Sequence, residues 1–455
     1  AVGHLFNLTY VQGLRGWPIF KIEWTPSYKK KSGAFTKIYY DLLNKLAKKA
    51  KEIVIATDYD IEGEVIGWNI LRFICNKNSA KRMKFSTLTK PELQKAYDNA
   101  LPNPDWGHAY AGETRHILDW LYGINLSRAL MSAIKTAGSF KILSIGRVQG
   151  PALKIIVDRE KEIMNFKSKP YWQVFAIVNL KEGRTSGEPS VPQEFKHPKD
   201  IFEKKELEKF KNIKEAIAET KKTEERIPPP PPFDLTSLQR EAYRYHGINP
   251  SQTLQAAQKL YLEGLISYPR TSSQKLRDSI EPKKILKQLE KNFSQYTKFA
   301  TREKPIEGKK SDPAHPAIYP TGEFQELSGN EQKIYNLILK RFISVFIQDA
   351  ITANKRIVLS ALNNPDIKFS ASGLKVLERG WTNVYPAIME EKYLPDMEGK
   401  TKIDKITNIE KETEPPKRYT PASLITILEK KNLGTKATRS IIIEALFERN
   451  YLEGK

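Results

Sequence analysis

A single cysteine, Cys75, stands among 455 residues. A lone thiol builds neither a disulfide framework nor a zinc ribbon, so the expected setting is reducing and intracellular. No apolar run approaches the ~18 residues that span a bilayer, and the chain opens without a signal-peptide pattern; a soluble protein without membrane contact is expected. No G-x-x-x-x-G-K-[ST] loop exists, so nothing points to nucleotide hydrolysis. Acidic charge is also scarce: 53 Asp and Glu against 75 Lys and Arg leave a net charge of +22 and a pI near 9.6. That surplus is the electrostatic footprint of a polyanion binder, nucleic acid first. The bland alternative is a solvated lysine-rich surface of the kind found in proteins from hot habitats. Residues 1–50 favour nucleic acid, with nine Lys and Arg against Glu23 and Asp41, and Trp17, Phe20, Trp24 and Tyr28 set among the bases as a single-strand surface requires.

The length exceeds what one core serves, and 40% hydrophobic residues can fill several, so two to four domains are expected. "YYDLLNKLAKKAK" has helical spacing and runs into the apolar strand and acids of "EIVIATDYDIEGE", then into the helical "VIGWNILRFI". Helices are expected over 115–135 and 147–164. "YWQVFAIVNL" and "KRIVLSAL" alternate as strands do. Five prolines, Pro228 to Pro232, read as a stiff spacer marking a boundary or hinge.

Sliding the sequence along itself by 186 positions exposes a repeat. Ser237-Leu238 falls on Ser423-Leu424, Asn249 on Thr435, and Gly264 on Asn450. Asn249 and Thr435 suit N-caps, Thr420-Pro421 suits an N-cap followed by an N1 proline, and Gly264 and Asn450 tolerate a left-handed backbone. Each copy therefore reads as helix, turn, helix and short strand. Such units bind DNA or simply pack.

Asp58, Asp60 and Glu62 alternate where a strand hands over to a helix, so three carboxylates can share one side and hold a hard cation for phosphoryl chemistry. The competing reading is that acids at a helix N-terminus complement its dipole. A calcium loop fails, because Asn69 occupies the position where the bidentate glutamate belongs. Tyr268 lies past an amphipathic helix bearing Leu254, Ala257 and Tyr261. By itself it would be a packing aromatic. Arg270, two residues on and on the same face of a strand, gives the phenol a cation that can hold a phosphate under nucleophilic attack. His315, braced by prolines in "SDPAHPAIYPTG", could donate to that phosphate.

"ATDYDIEGE", "SIGRVQGPAL", "LYLEGLISYPRTSS", "HPAIYPTG" and "YTPASLITILEKKNLGTKATRSIIIEAL" resemble, in order and nearly end to end, the signatures of type IA DNA topoisomerases. "DYDIEGEVIGWNILRF" and "KRMKFSTLT" are most similar to the archaeal topoisomerase I/III branch. The resemblance implies a multidomain α/β plus α+β fold. A Toprim domain, truncated at its N-terminus, would occupy 1–100. A winged-helix-like single-strand-binding domain would combine 101–165 with 406–455, and a β-rich arch 166–230 with 356–405. A second winged-helix-like domain over 231–355 would carry the tyrosine and close a toroid. Tyr268 would attack a backbone phosphate and hold the 5′ end, Arg270 would stabilise the phosphate, and His315 would contact DNA beside the break. Asp58, Asp60 and Glu62 would place Mg²⁺, and Arg115, Asp119, Arg147, Gln149 and Thr438 would shape the single-strand groove. The implied partner is the single-stranded segment of underwound DNA, acted on by a monomer associated with the nucleoid; a helicase partner stays open. The family's opening glutamate run and a complete C-terminal tail have no match here, so the expectation is a fragment that binds single-stranded DNA and cleaves poorly. A Toprim nuclease or primase would use the acids without the tyrosine, and a non-catalytic DNA-binding protein would need neither.

Overall fold

The computed structural model describes residues 3–11, 16–180, 191–387 and 389–454. The first unit opens with an antiparallel hairpin of β1 (Phe6–Tyr10) and β2 (Ile22–Pro26), followed by α1 (Lys37–Ala47). The amphipathic pattern of α1 is borne out as a helix, but its stripe of Ile38, Leu42 and Leu46 faces solvent. Two short parallel strands come next, β3 (Val54–Ile55) and β4 (Lys81–Arg82), with α2 (Ile61–Phe73) between them. Asp60 caps α2, its Oδ1 accepting from the Gly63 N–H at 2.8 Å, while Glu62 and Glu64 complement the positive end of the helix. After α3 (Lys90–Asp98) comes α4 (Trp106–Thr136), 31 residues and thus about 46 Å long. Gly112 lets α4 lie directly on α2, since a Cβ there would meet Val65 Cγ2 at 2.4 Å and the Ile61 carbonyl oxygen at 2.8 Å.

Beyond α5 (Gln149–Met164) lie β5 (Pro170–Leu180), β6 (Val191–Lys196) and β7 (Glu215–Ile227). The tyrosine-bearing unit then follows as α6 (Leu235–His246), α7 (Pro250–Leu262), α8 (Pro282–Thr297) and α9 (Gly329–Ser344). The chain returns through β8 (Ala350–Ala361), β9 (Lys368–Glu378), β10 (Gly399–Lys402) and β11 (Lys405–Glu412) before α10 (Pro421–Lys430) and α11 (Arg439–Glu448). β5 to β11 form one seven-stranded sheet in the order β10-β7-β8-β9-β6-β5-β11, antiparallel throughout. Val174, Ala176 and Val178 share its buried face with Phe195, Ile357, Leu359 and Phe369 from the other strands, as expected of an antiparallel sheet with one solvated side. The cuts expected at 355/356 and 405/406 fall inside or beside strands: β8 begins at Ala350, and β11 pairs with β5 instead of joining the C-terminal helices. Cross-strand pairing between segments some 230 residues apart leaves no local signal in either one.

The repeat is confirmed as two helix pairs. Asp234 and Thr420 each form a capping box with Ser237 and Ser423, Asn249 caps α7, and Gly264 and Asn450 are both left-handed. Thr435 does not cap α11, which begins at Arg439 with Thr438 in the cap position; its N–H donates to Thr438 Oγ1 at 3.0 Å in a turn leading into the helix. Nor is there a strand after α7, only a single bridge between Ile266 and Pro320. The proline run is no free hinge: Pro229 and Pro232 are buried, and Arg341 donates to the Pro231 carbonyl at 3.3 Å. The largest core joins α6 to α9 and includes Tyr261 and Tyr268, whereas α5, α10 and α11 share a smaller one around Leu428 and Leu446.

Candidate active site

The site forms where the turn before α2 meets the segment after α7. Tyr268, 1% exposed, donates its phenolic O–H to Asp60 Oδ2 at 2.5 Å, while the phenol of Tyr261 donates to Asp58 Oδ1 at 3.0 Å. The two rings sit edge to face at 5.2 Å, and the Tyr268 N–H donates to the Ser86 carbonyl at 2.8 Å. Burial, then the charges of Asp60 and Asp58, push the Tyr268 phenol well above its usual range against the opposing pull of Arg270. Burial also raises Asp58, with the neighbouring Asp60 adding to the effect.

His315 lies against Tyr268 with ring centroids 4.6 Å apart, and it is fully buried. Its Nε2 is 3.1 Å from the Tyr59 carbonyl oxygen, which can only accept, so the proton sits there and Nδ1 accepts from Ser86 Oγ at 3.1 Å. Burial lowers its pKa to about 4, leaving a neutral imidazole with both nitrogens engaged. Asp312 organises this loop: its carboxylate accepts from the N–H of Ser272, Ala314 and His315 and pairs with Lys436 from the C-terminal repeat. Arg270 has a buried Nε without a partner, and among the described residues its guanidinium makes no salt bridge. An unpaired cation this close to Tyr268 and Asp58 is disposed to hold an anion.

The three acids expected on one side do not come together. Alternation holds only along an extended chain, and the helix takes over at Ile61. Glu62 therefore turns toward His4 and His116, whose Nε2 atoms lie 3.1 and 2.9 Å from its Oε2, and toward Arg115 Nη1 at 3.2 Å. Burial would raise the Glu62 carboxyl, but those hydrogen bonds and the Arg115 charge hold it well below the usual carboxylate range. Asp119 bridges Arg115 at 3.6 Å and Arg147 at 2.6 Å, so three of the expected groove residues, two on α4 and one before α5, continue the line from Glu62. Gln149 and Thr438 stand apart. Gln149 Oε1 accepts from Arg449 at 2.7 Å, and Thr438 belongs to the turn before α11.

Arg82 and Glu64 escape a reading of the sequence. They form a fully buried ion pair at 2.7 Å, and the remaining guanidinium N–H groups donate to the carbonyls of Thr57, Met83 and Asp58. Glu64 Oε1 accepts from the Asp105 N–H at 2.7 Å. This pair pins the turn that carries Asp58 and Asp60. A signal exists: in "KRMKFSTLT" Arg82 occupies the inward position of a strand, where a charge requires a partner. His4 and His116 carry no comparable signal.

The DNA topoisomerase family profile matches residues 103–455, and a Toprim domain profile matches residues 1–88. The chain belongs to the DNA topoisomerase family. Its relatives include the DNA topoisomerase 1 of Pyrococcus horikoshii, 43% identical over all of this chain and 68% of that protein. The DNA topoisomerase 1 of Methanocaldococcus jannaschii is 44% identical over 99% of this chain, which spans only 60% of that relative. Among solved structures, full-length topoisomerase I from Thermotoga maritima superposes with a TM-score of 0.77 at 28% identity, covering all of this chain and 75% of that one. The relatives bear out the similarity to the archaeal branch, and the site joins Tyr268, from the stretch matching the topoisomerase profile, to Asp60, from the stretch matching the Toprim profile. No helix among the described residues is long and apolar enough to cross a membrane.

Proposed function

We propose that this chain performs type IA topoisomerase chemistry without ATP, cutting one DNA strand through Tyr268, letting another strand pass and resealing the first, so as to relax negative supercoils or decatenate. The observation that carries the reading is the Tyr268–Asp60 hydrogen bond beside the unpaired guanidinium of Arg270. In the reaction Tyr268 Oη forms a bond to phosphorus as the P–O3′ bond breaks, leaving a 5′-phosphotyrosyl end and a 3′-hydroxyl. The phenol loses a proton and the 3′ oxygen gains one, with Asp60 placed to receive the first. Resealing reverses each step, and the phosphodiester's energy stays in the tyrosyl link. Arg270 balances charge on the phosphate, and His315 fixes the Tyr59 carbonyl and the Ser86 hydroxyl around the ring.

Asp58 and Asp60 fit a hard divalent cation such as Mg²⁺: they are oxygen donors, the Asp60 charge adds to the cost of ionising Asp58, and among the described residues neither is in a salt bridge. Glu62 would complete the set by exchanging its histidine and Arg115 contacts. The ion would supply positive charge at the phosphate. Because Tyr268 is buried, the unit carrying it must part from the Asp58–Asp60 turn before a strand can enter. The helix pairs α6–α7 and α10–α11 would serve as winged-helix-like modules of a toroid, with Arg115, Asp119 and Arg147 lining the groove that leads a single strand to the site and Gln149 and Thr438 shaping it. The test is relaxation of negatively supercoiled plasmid by this chain with Mg²⁺ and no nucleotide. Relaxation lost in Tyr268→Phe supports the reading. Relaxation that survives in that variant overturns it.

A further inference from the structure

A cleft of about 540 Å³ runs along the seam between the Toprim unit and the tyrosine-bearing unit. It shares Ser86 with the active site: the Ser86 carbonyl accepts from the Tyr268 N–H and its Oγ contacts His315. Lys84 and Lys95 line one wall, Arg277 and Lys284 the other. Of its acids, Glu92 is already bound to the Ser86 N–H at 2.6 Å and to Thr87 Oγ1, and Glu281 pairs with Lys284 at 3.2 Å. That leaves Glu323 facing Lys84, Lys95 and Arg277, none of which makes a salt bridge among the described residues. Lys84 stands 4.7 Å over the ring of Tyr59, whose carbonyl holds His315. Burial and then the like charge of Arg277 disfavour its ammonium, against the opposing pull of Asp105. Two cations on opposite walls of a seam repel, and an anion seated between them relieves that cost.

The basic seam begins at Ser86, whose carbonyl holds the Tyr268 N–H, so a segment held on Tyr268 starts at its mouth. Resting on the topoisomerase reading, we infer that this seam holds the phosphates of the strand beyond the break, the segment that stays linked to Tyr268 after cleavage, with Lys84 and Arg277 as its main contacts. Lys84 and Arg277 lie on separate units, so a strand seated between them would also tie the units together while it is bound.

The test uses the full chain in a Tyr268→Phe background, so that binding is read without cleavage. The cleavage position on one oligonucleotide is first mapped with the parent protein. Two oligonucleotides are then compared, one ending at the nucleotide after that position and one extending six nucleotides further to the 3′ side. The longer is expected to bind more tightly and with a steeper salt dependence. Lys84→Ala combined with Arg277→Ala should weaken the longer by about tenfold and flatten its salt slope by about 1 to 2. The shorter should change by less than about twofold, which excludes a folding defect. Equal affinity of the parent for both lengths, or equal loss for both in the double variant, overturns the inference while leaving the cleavage reading intact. Failure of the parent to bind either length, or to form the adduct used for mapping, defeats the topoisomerase reading itself and this inference with it.

Discussion

The phenol of Tyr268 and the carboxylate of Asp60, 208 positions apart in the chain, meet at 2.5 Å in a site closed to solvent. The bond joins the tyrosine-bearing unit to the Toprim turn and keeps the phenol protonated while the two are in contact. Tyr268→Phe removes the bond but preserves the ring packing against Tyr261 and His315. A loss of about 1–2 kcal/mol in thermal or denaturant unfolding is expected, with single-strand affinity retained within about threefold. Calorimetry together with a filter-binding titration checks both.

The buried Arg82–Glu64 pair should be far more costly to disturb. Arg82→Met strands the Glu64 carboxylate and three carbonyls, and about 3–5 kcal/mol of stability should be lost. Arg82→Met with Glu64→Leu should recover part of that, since the uncompensated charge is gone while the carbonyls still lack a donor. Urea melts of the three variants decide it; a double variant less stable than Arg82→Met would refute the account.

Local chemistry in the sequence announced the caps at Asn249 and Thr420 and the left-handed Gly264 and Asn450, because each depends on a side chain within three or four residues of the backbone it serves. Tyr268, Arg270 and the acids stood out by residue type and order, and the fold does bring Tyr268 against Asp60. The direction of Glu62 was not, because period-two alternation was applied across a point where the helix begins. The membership of β11 in the sheet and the pairing of Lys436 with Asp312 depend on contacts between distant segments, which no local pattern encodes.

Gly63 tests the turn directly. A Cβ at that position would lie 2.0 Å from the Asp58 carbonyl oxygen, so Gly63→Ala must move the backbone that sets Asp58 and Asp60. A loss of about 3 kcal/mol in stability is expected, with cleavage impaired even where the fold survives. Retention of the parent melting temperature would show that the turn is slack.

His315 links the site to pH. Its folded pKa of about 4 lies below the ordinary value near 6.5, so the unfolded chain binds the extra proton between those limits. Its contribution is fully present above pH 6.5 and is lost as pH falls toward 4, by at most about 3 kcal/mol. His315→Gln should flatten the dependence of unfolding free energy on pH across that window. A parent and variant with parallel profiles would contradict the buried neutral imidazole.

The central claim is that Tyr268 is the group that becomes joined to DNA. A single-stranded oligonucleotide labelled at its 3′ end is incubated with the chain and Mg²⁺, the reaction is stopped with denaturant, and the labelled peptide is sequenced by mass spectrometry after proteolysis. The account predicts a denaturation-resistant adduct whose label lies on the peptide containing Tyr268, joined through a 5′ phosphate. An adduct at another residue, or one carrying the label of the 5′ end of the oligonucleotide, would contradict it.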